Sequence, residues 1–328
     1  MRLAALVDSR EHVCCRYRLR AFEPFLNASG YQITYFADPG SWTGRIGIAR
    51  QLGEFDAVIL QRRLPAYWES WLLRRHARRL VFDLDDAVWL RDSFSRKGFE
   101  SRKRTNRFGL LMPRLDHYAA GNDYLSEACL KAKAPRGTII PTCVDVEKYP
   151  AARHEGLKSM LAWIGSSSTL QGIEAMRPLW ERLGKEIPNL VMKVICDRFP
   201  KFEHLPVIEI PWSEATERNE LASADIGISW IPDDRWSRGK CGLKVLQSMA
   251  AGLPVVANRV GVHPEMITPG ETGFLADTPD EWAWAIRTLA GDANLRRSMG
   301  QKAREVVRQK YSVERGAAEW LKVLDSLA

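Results

Sequence analysis

The sequence predicts an α/β protein built as two doubly wound, Rossmann-like domains, on three observations. Apolar runs of strand length alternate with helical patterns along most of the chain, the signature of a parallel sheet with helices on its faces. The 328 residues carry no repeats and no low-complexity tracts, which leaves room for two ordinary domains, each burying its own core. The balance of 45% hydrophobic and 27% charged residues is that of a globular chain, and the apolar runs stop far short of the ~20 residues needed to cross a bilayer.

Residues 3–7 read as the first strand. Only a short apolar stretch precedes the first charges and no small-residue cleavage site follows, so MRLAALVDSREH is a strand and not a signal peptide, and the cytoplasm is the expected compartment. A helical pattern through Tyr17, Leu19, Phe22, Phe25 and Leu26 follows and closes at Gly30. Strands at 32–36, 57–60 and 80–82 then alternate with helices such as the one around Trp68, Trp71 and Leu72. Ligands of doubly wound sheets sit at the C-terminal strand ends. After the first strand that rule points to Arg10, His12, Arg16, Arg18 and Arg20; on a helix Arg16 and Arg20 share a face, where they would meet a phosphate or carboxylate on the acceptor or form surface salt bridges. After the third strand it points to Arg62, as a functional cation or a helix cap. After the fourth, in VFDLDDAVW, it points to Asp83, Asp85 and Asp86. Asp85 or Asp86 would hold acceptor hydroxyls or act as a base, while Asp83 would bond loop amides.

Residues 91–114 are the most basic stretch, interleaved with Phe94, Phe99 and Phe108, and read as a lid, a membrane-facing surface or an ordinary charged connection. YAAGNDYL marks a further strand end and helix start, and GTIIPTCVDVEKY a last strand, with a linker at 149–157. The net charge of +8 is uneven. Residues 1–150 hold 25 Lys+Arg against 17 Asp+Glu, and the rest hold 23 of each. That excess would draw an anionic acceptor, a lipid-phosphate carrier or a membrane surface to the first half, with a solvated basic face as the competing reading; no nucleic-acid module accompanies it. The six cysteines show no CxxC pair and no zinc-site spacing, and read as reduced, structural thiols.

The second half opens with a strand at 160–164, then Gly165, the hydroxyls of Ser166, Ser167, Ser168 and Thr169, and a helix expected to run to Ile187. Free amides and hydroxyls at such a turn can cradle a phosphate. Strands at 191–195 and 207–210, the latter followed by Trp212, lead to the buried strand in ADIGISWIPDD. The stretch WSRGKCGLKVLQSMAAGLPVVAN comes next. Its helix carries Leu243, Leu246, Met249 and Ala250 at helical spacing and stops at Gly252 and Pro254, before a strand at 254–257. Gly239 and Gly242 leave the helix start bare, bracketed by Lys240 and Lys244, which suits an anion or two solvated lysines. Helices around Trp282 to Leu289 and 295–307 follow, and a closing helix at 313–327 is expected to return to the first domain.

The motifs AAGLPVVA, VGVHPEMI and GETGFLA resemble the donor half of GT-B glycosyltransferases, in particular the large retaining family 4. The resemblance implies two Rossmann-like domains facing across a cleft: an acceptor domain at 1–152, a nucleotide-sugar domain at 153–310 and a crossing helix at 311–328. It also implies a nucleoside-diphosphate-sugar donor, no metal or other cofactor, hexosyl transfer, and an anionic or glycan acceptor. Lys244, Lys240 and the amides of residues 165–168 would stabilise the leaving diphosphate. Gln247, at the second of the family's two glutamate positions, would orient the ribose. Gly239 stands at the first, and Arg62 near the family's histidine. Val262 would lie beside the phosphates and Trp212 beside the base. Peripheral contact with the inner membrane face through the basic domain and absence of nucleic-acid binding complete this reading. VFDLDD also resembles the first motif of haloacid-dehalogenase phosphatases, which would make Asp83 a nucleophile and Asp85 an acid/base. A degenerate module that binds without turnover is the remaining alternative.

Overall fold

The computed structural model of the chain describes residues 1–155 and 159–327. Its strands form two parallel sheets, each belonging to a unit of its own. The first unit comprises Met1–Cys143, Asp234–Cys241 and the C-terminal segment from Val313, and the second comprises Val144–Asp233 and Gly242–Ser312.

In the first unit β1 (Arg2–Val7), β2 (Gln32–Ala37), β3 (Ala57–Gln61), β4 (Leu80–Leu84), β5 (His117–Ala120) and β6 (Gly137–Ile139) lie in the order β2-β1-β3-β4-β5-β6. The central strands β3 and β4 are buried from end to end, because helices cover both faces of the sheet. One face packs Leu60, Phe82 and Leu84 against Ala49, Leu73, Phe108 and Leu111 from three crossover helices, Trp42–Gln51, Tyr67–His76 and Arg102–Leu111. The other packs Leu3, Ile59 and Val81 against Leu19, Phe22 and Leu26, and against Trp320 and Leu324 of the closing helix Val313–Asp325.

In the second unit β7 (Ser159–Ile164), β8 (Leu190–Cys196), β9 (Val207–Pro211), β10 (Ile226–Ser229), β11 (Val255–Ala257) and β12 (Gly273–Leu275) lie in the order β12-β11-β10-β7-β8-β9. β7 connects to β8 on one side, whereas its other neighbour β10 connects onward to β11. The reversal between β7 and β10 opens a crevice at their C-terminal ends, where doubly wound folds bind ligands.

Four features differ from the sequence expectations. The segment Arg16–Arg20 is a π-helix, in which the Ala21 amide reaches the Arg16 carbonyl at 2.9 Å. Arg16 and Arg20 therefore do not share an α-helical face: Arg16 is buried and Arg20 half-buried. The helix expected to reach Ile187 is two helices, Ser167–Ala175 and Arg177–Glu186, because Pro178 cannot donate into a continuous ladder. The chain first passes between units at 143 and 144, before the linker expected at 149–157, of which residues 156 and 157 lie outside the described residues. Finally, residues 234–241 return to the first unit, where Trp236 and Cys241 are buried beside Ala87, Val88, Trp89 and Leu125. Asn122 Nδ2 secures that return by donating to the Lys240 carbonyl at 3.1 Å.

The basic stretch after β4 is tied down locally. The Arg91 guanidinium donates to the carbonyls of Lys97 at 3.1 Å, Gly98 at 3.3 Å and Glu100, so the loop folds around it before Arg102–Leu111 begins. All six cysteines are free and buried.

Candidate functional site

In the second unit the crevice between β7 and β10 is flanked by the starts of Ser167–Ala175 and Leu243–Ala250. Lys244 joins them: its Nζ donates to Thr169 Oγ1 at 3.0 Å and lies 4.7 Å from the centre of the Trp163 ring. Trp163 is a residue that sequence reasoning passed over as core. Its ring fills the space a side chain at Gly165 would take, since a Cβ there would come within 2.7 Å of it. Two helix N-termini and an ammonium thus converge on one point, which favours an anion.

Part of the expected cradle is already in use. The Gly165 amide belongs to the sheet, donating to the Ile195 carbonyl at 3.1 Å. The Ser167 amide donates to Asp197 Oδ1 at 2.7 Å, and the Ser167 hydroxyl and amide hold the Asp197 carboxyl down to about 2. Asp197 had no signal in the sequence, because its contact with Ser167 depends on β7 and β8 being neighbours. Ser166 and Ser168 share a hydroxyl contact of 2.8 Å, and Thr169 Oγ1 also donates to the Ser166 carbonyl at 3.0 Å. What faces an anion here is Lys244 with the Ser166–Ser168 hydroxyl pair, since the Thr169 hydroxyl hydrogen is committed to the Ser166 carbonyl.

Gly242 precedes the second helix with φ +66°, and a Cβ would approach Met266 Sδ to 2.5 Å, so glycine is required by both conformation and space. Val262 is one of the packing partners at that point, and Gln247 is buried within the helix. Trp212 follows β9, half-exposed, with Nε1 donating to Glu217 Oε2 at 2.8 Å. His263 was read only as part of a turn, yet it stands near Lys244. Its Nδ1–H donates to the Asn258 carbonyl at 2.9 Å, leaving Nε2 to accept from Ser229 Oγ at 3.4 Å. Burial, reinforced by the Lys244 charge against the Asn258 bond, lowers its pKa to about 4, so it is neutral at pH 7. A separate cavity of about 620 Å³ lies at the opposite, N-terminal ends of β7 and β10, lined by Met160, Asp225 and His154; it is remote from this constellation, and the strand-end rule favours the Lys244 side.

In the first unit the strand-end acids are met by cations. Asp83 is fully buried and receives the Arg18 guanidinium through Nε at 3.1 Å and Nη2 at 2.5 Å, while Gln61 Nε2 donates at 3.2 Å. Burial would lower the Arg18 pKa, but the Asp83 carboxylate outweighs it and raises it. Asp83 thus bonds a guanidinium instead of loop amides, and no phosphoryl group can reach it as a nucleophile would require. The phosphatase reading falls with that access.

Arg62 follows β3 at φ +61°, a conformation rarely taken outside glycine, with the Arg63 amide 2.5 Å from the Gln61 carbonyl in a three-residue turn. Strained residues of this kind gather at functional sites. From there Arg62 reaches Asp86 Oδ2 at 2.5 Å, Asp85 Oδ1 at 3.6 Å and the Cys14 sulfur. Lys240 Nζ lies 3.1 Å from Asp86 Oδ1. Lys240 therefore belongs to an acid cluster of the first unit and does not pair with Lys244 in the second; the return of residues 234–241 to the first core carries it there. Burial pushes the Asp85 carboxyl up, but Arg62 and then Arg18 outweigh it and hold it below the usual carboxylate range. Among the described residues Asp85 Oδ1 is buried and accepts no hydrogen bond. His12 caps a short helix through Nδ1, accepting from the Cys14 amide at 3.2 Å; Arg16 stacks on Tyr17, and Arg20 donates to the Arg10 carbonyl at 3.4 Å. Gly239 has no room for a side chain, because a Cβ would come within 2.9 Å of Ala87.

Residues 235–306 match the family model described as Glycosyl transferases group 1. The chain is 37% identical over 81 residues to the N-acetyl-alpha-D-glucosaminyl L-malate synthase of Bacillus anthracis, covering 24% of this chain and 21% of that protein. It is 44% identical over 69 residues to the D-inositol 3-phosphate glycosyltransferase of Corynebacterium glutamicum, covering 20% and 16%. These matches thus span about a fifth of the relatives' length. Among solved structures, the sucrose-phosphate synthase from Thermosynechococcus elongatus superposes with a TM-score of 0.74 at 14% identity, covering 100% of this chain and 99% of that one. Anabaena HepE in complex with UDP-glucose gives 0.69 at 16% identity, covering 99% and 100%. At such identities the likeness establishes the fold, which is GT-B.

Proposed function

We propose that the protein is a glycosyltransferase: its second unit holds a nucleoside-diphosphate-sugar, and its first unit presents the acceptor hydroxyl. The observation that carries this reading is Lys244, fixed on Thr169 and Trp163 where two helix N-termini meet. When the sugar departs, negative charge grows on the diphosphate. A preorganised ammonium and helix ends stabilise it more in the transition state than in the ground state. The match of residues 235–306 to a glycosyltransferase family supports the reading, as does a neighbour of the same fold solved with UDP-glucose.

Asp85 is the first unit's best partner for an acceptor hydroxyl, because Arg62 and Arg18 keep its carboxylate ionised and its side chain, unlike that of the fully buried Asp83, retains 14% exposure. Arg62 and Lys240 position Asp86 beside it. Gln247 orients the ribose and Trp212 offers a ring face to the base. Retaining, metal-independent hexosyl transfer is the finer form of this reading, supported by motif resemblance.

The test is a thermal-shift panel of UDP, GDP, ADP, TDP and CMP with and without magnesium, repeated on Lys244→Ala. One nucleoside diphosphate at about 100 times its Kd should raise Tm by a few degrees, through ~2.7 kcal/mol of linkage. Lys244→Ala should abolish the shift and lower turnover at least a hundredfold. No shift with any nucleotide, or an undiminished shift in the variant, would sink the assignment.

A further inference from the structure

The three crossover helices that cover one face of the first sheet have an outer surface unlike any other part of the chain described above. Trp42 on the first helix is 67% exposed, and on the second Tyr67, Trp68 and Trp71 are 53%, 43% and 59% exposed. Tyr67, Trp68, Trp71 and Arg75 fall on one arc of Tyr67–His76, opposite the buried Glu69, Ser70 and Leu73. The helices are held side by side: Arg45 of the first approaches Glu69 of the second at 3.8 Å, and Ala49, Leu73 and Phe108 share one core. Large rings would ordinarily be turned inward, and here the inward positions are already filled.

Charge on this layer has one sign. Across Trp42–Gln51, Tyr67–His76 and Arg102–Leu111 the single acid is Glu69, buried and held by Arg63 at 2.6 Å. Arg50, Arg75, Arg102, Lys103 and Arg104 are exposed on the same three helices, and the Arg75 guanidinium lies over Trp71 at 5.7 Å. On the second unit the helices Arg177–Glu186 and Pro279–Gly291 carry acids that pair with their arginines, through Arg182–Glu186 and Arg287–Glu186 at 2.7 Å each.

We infer that this helix layer docks on the surface of an anionic lipid bilayer. Trp and Tyr rings favour the headgroup zone, where the ring is sheltered and the polar edge stays wet, and neighbouring arginine and lysine are drawn to acidic headgroups. No helix among the described residues is long and apolar enough to cross a membrane, so the contact is peripheral. The surface lies within the first unit alone, and the inference stands apart from the proposed glycosyl transfer.

Flotation of the full chain with vesicles tests it, comparing phosphatidylcholine alone with phosphatidylcholine mixed with phosphatidylglycerol. The chain should float with the mixed vesicles, weakly with the neutral ones, and lose binding as salt rises. Trp68→Ala/Trp71→Ala should weaken partitioning at least tenfold, and Arg75→Gln/Lys103→Gln by about fivefold per charge removed. Trp284→Ala, at an exposed ring of the second unit, should change nothing and controls for a general loss of tryptophan. Equal melting temperatures would establish that the variants fold. Absence of flotation, or flotation undiminished in both double variants, would overturn the inference. So would competition by soluble heparin in place of vesicles, or a dimer lost in the Trp68/Trp71 variant, which would assign the layer to a polyanion or a second copy.

Discussion

The two units use one fold to opposite electrostatic ends. At the C-terminal end of β4 in the first, two acids are answered by cations: Asp83 by Arg18, Asp86 by Arg62 and Lys240. At the corresponding ends of the second, Lys244 is held on the Thr169 hydroxyl and the Trp163 ring beside two helix N-termini. Strand order alone cannot tell these apart. The architecture supplies a crevice, and the loop residues decide its charge.

The most disruptive way to break this contrast is Arg18→Ala, which leaves Asp83 buried without its guanidinium. It should cost about 3–5 kcal/mol in urea unfolding, whereas Lys244→Ala should cost about 1 kcal/mol or less while removing nucleotide binding. Arg18→Met/Asp83→Leu should recover most of the loss, since replacing both charges leaves nothing unpaired. Equal costs for the two single variants would erase the distinction between a structural ion pair and a ligand-binding cation.

Acid gives a second, somewhat smaller contrast. Burial lowers His263 to about 4, and His117 in the first unit to about 4 as well, with Arg136 adding to the effect there. A base whose pKa is lower in the folded chain takes up its proton on unfolding. Stability should therefore be intact above about pH 6.5 and fall as pH drops towards 4, by about 2 kcal/mol per histidine at pH 5. His263→Gln should remove one share of that slope, measured as the difference in urea midpoint between pH 7 and pH 5. An unchanged slope would mean that His263 is not the group being titrated. The smallest effect belongs to Lys240→Ala. Its half-exposed pair should contribute under about 1 kcal/mol, and nucleotide affinity should stay within about twofold if Lys240 serves the first unit's cluster and not the diphosphate. A loss matching that of Lys244→Ala would return Lys240 to the donor site.

The fold was legible because strands buried on both faces read as plain apolar runs, and residues such as 57–60 and 80–82 were recovered almost to their ends. The candidate site was legible only where chemistry and sequence neighbourhood coincide, as in Gly165 to Thr169 and Lys244. Partners brought together by topology gave no signal. Arg18 meets Asp83 across 65 residues, and the π-helix that turns it inward has no local signature. Asp197 reaches Ser167 only because β8 pairs with β7. Lys240 and Lys244 sit four residues apart and belong to different units, because Trp236 finds its apolar surroundings in the first core.

The first unit's dependence on late segments bears on how the chain is made. The face lined by Leu19, Phe22 and Leu26 waits for Trp320 and Leu324, and the opposite core waits for Trp236 and Cys241. A ribosome adding about 5–20 residues per second needs roughly ten to thirty seconds between finishing Cys143 and delivering Val313–Asp325. Throughout that interval the nascent first half displays an apolar face that only the last helix can cover, so the growing chain offers chaperones a binding surface which the finished protein no longer has.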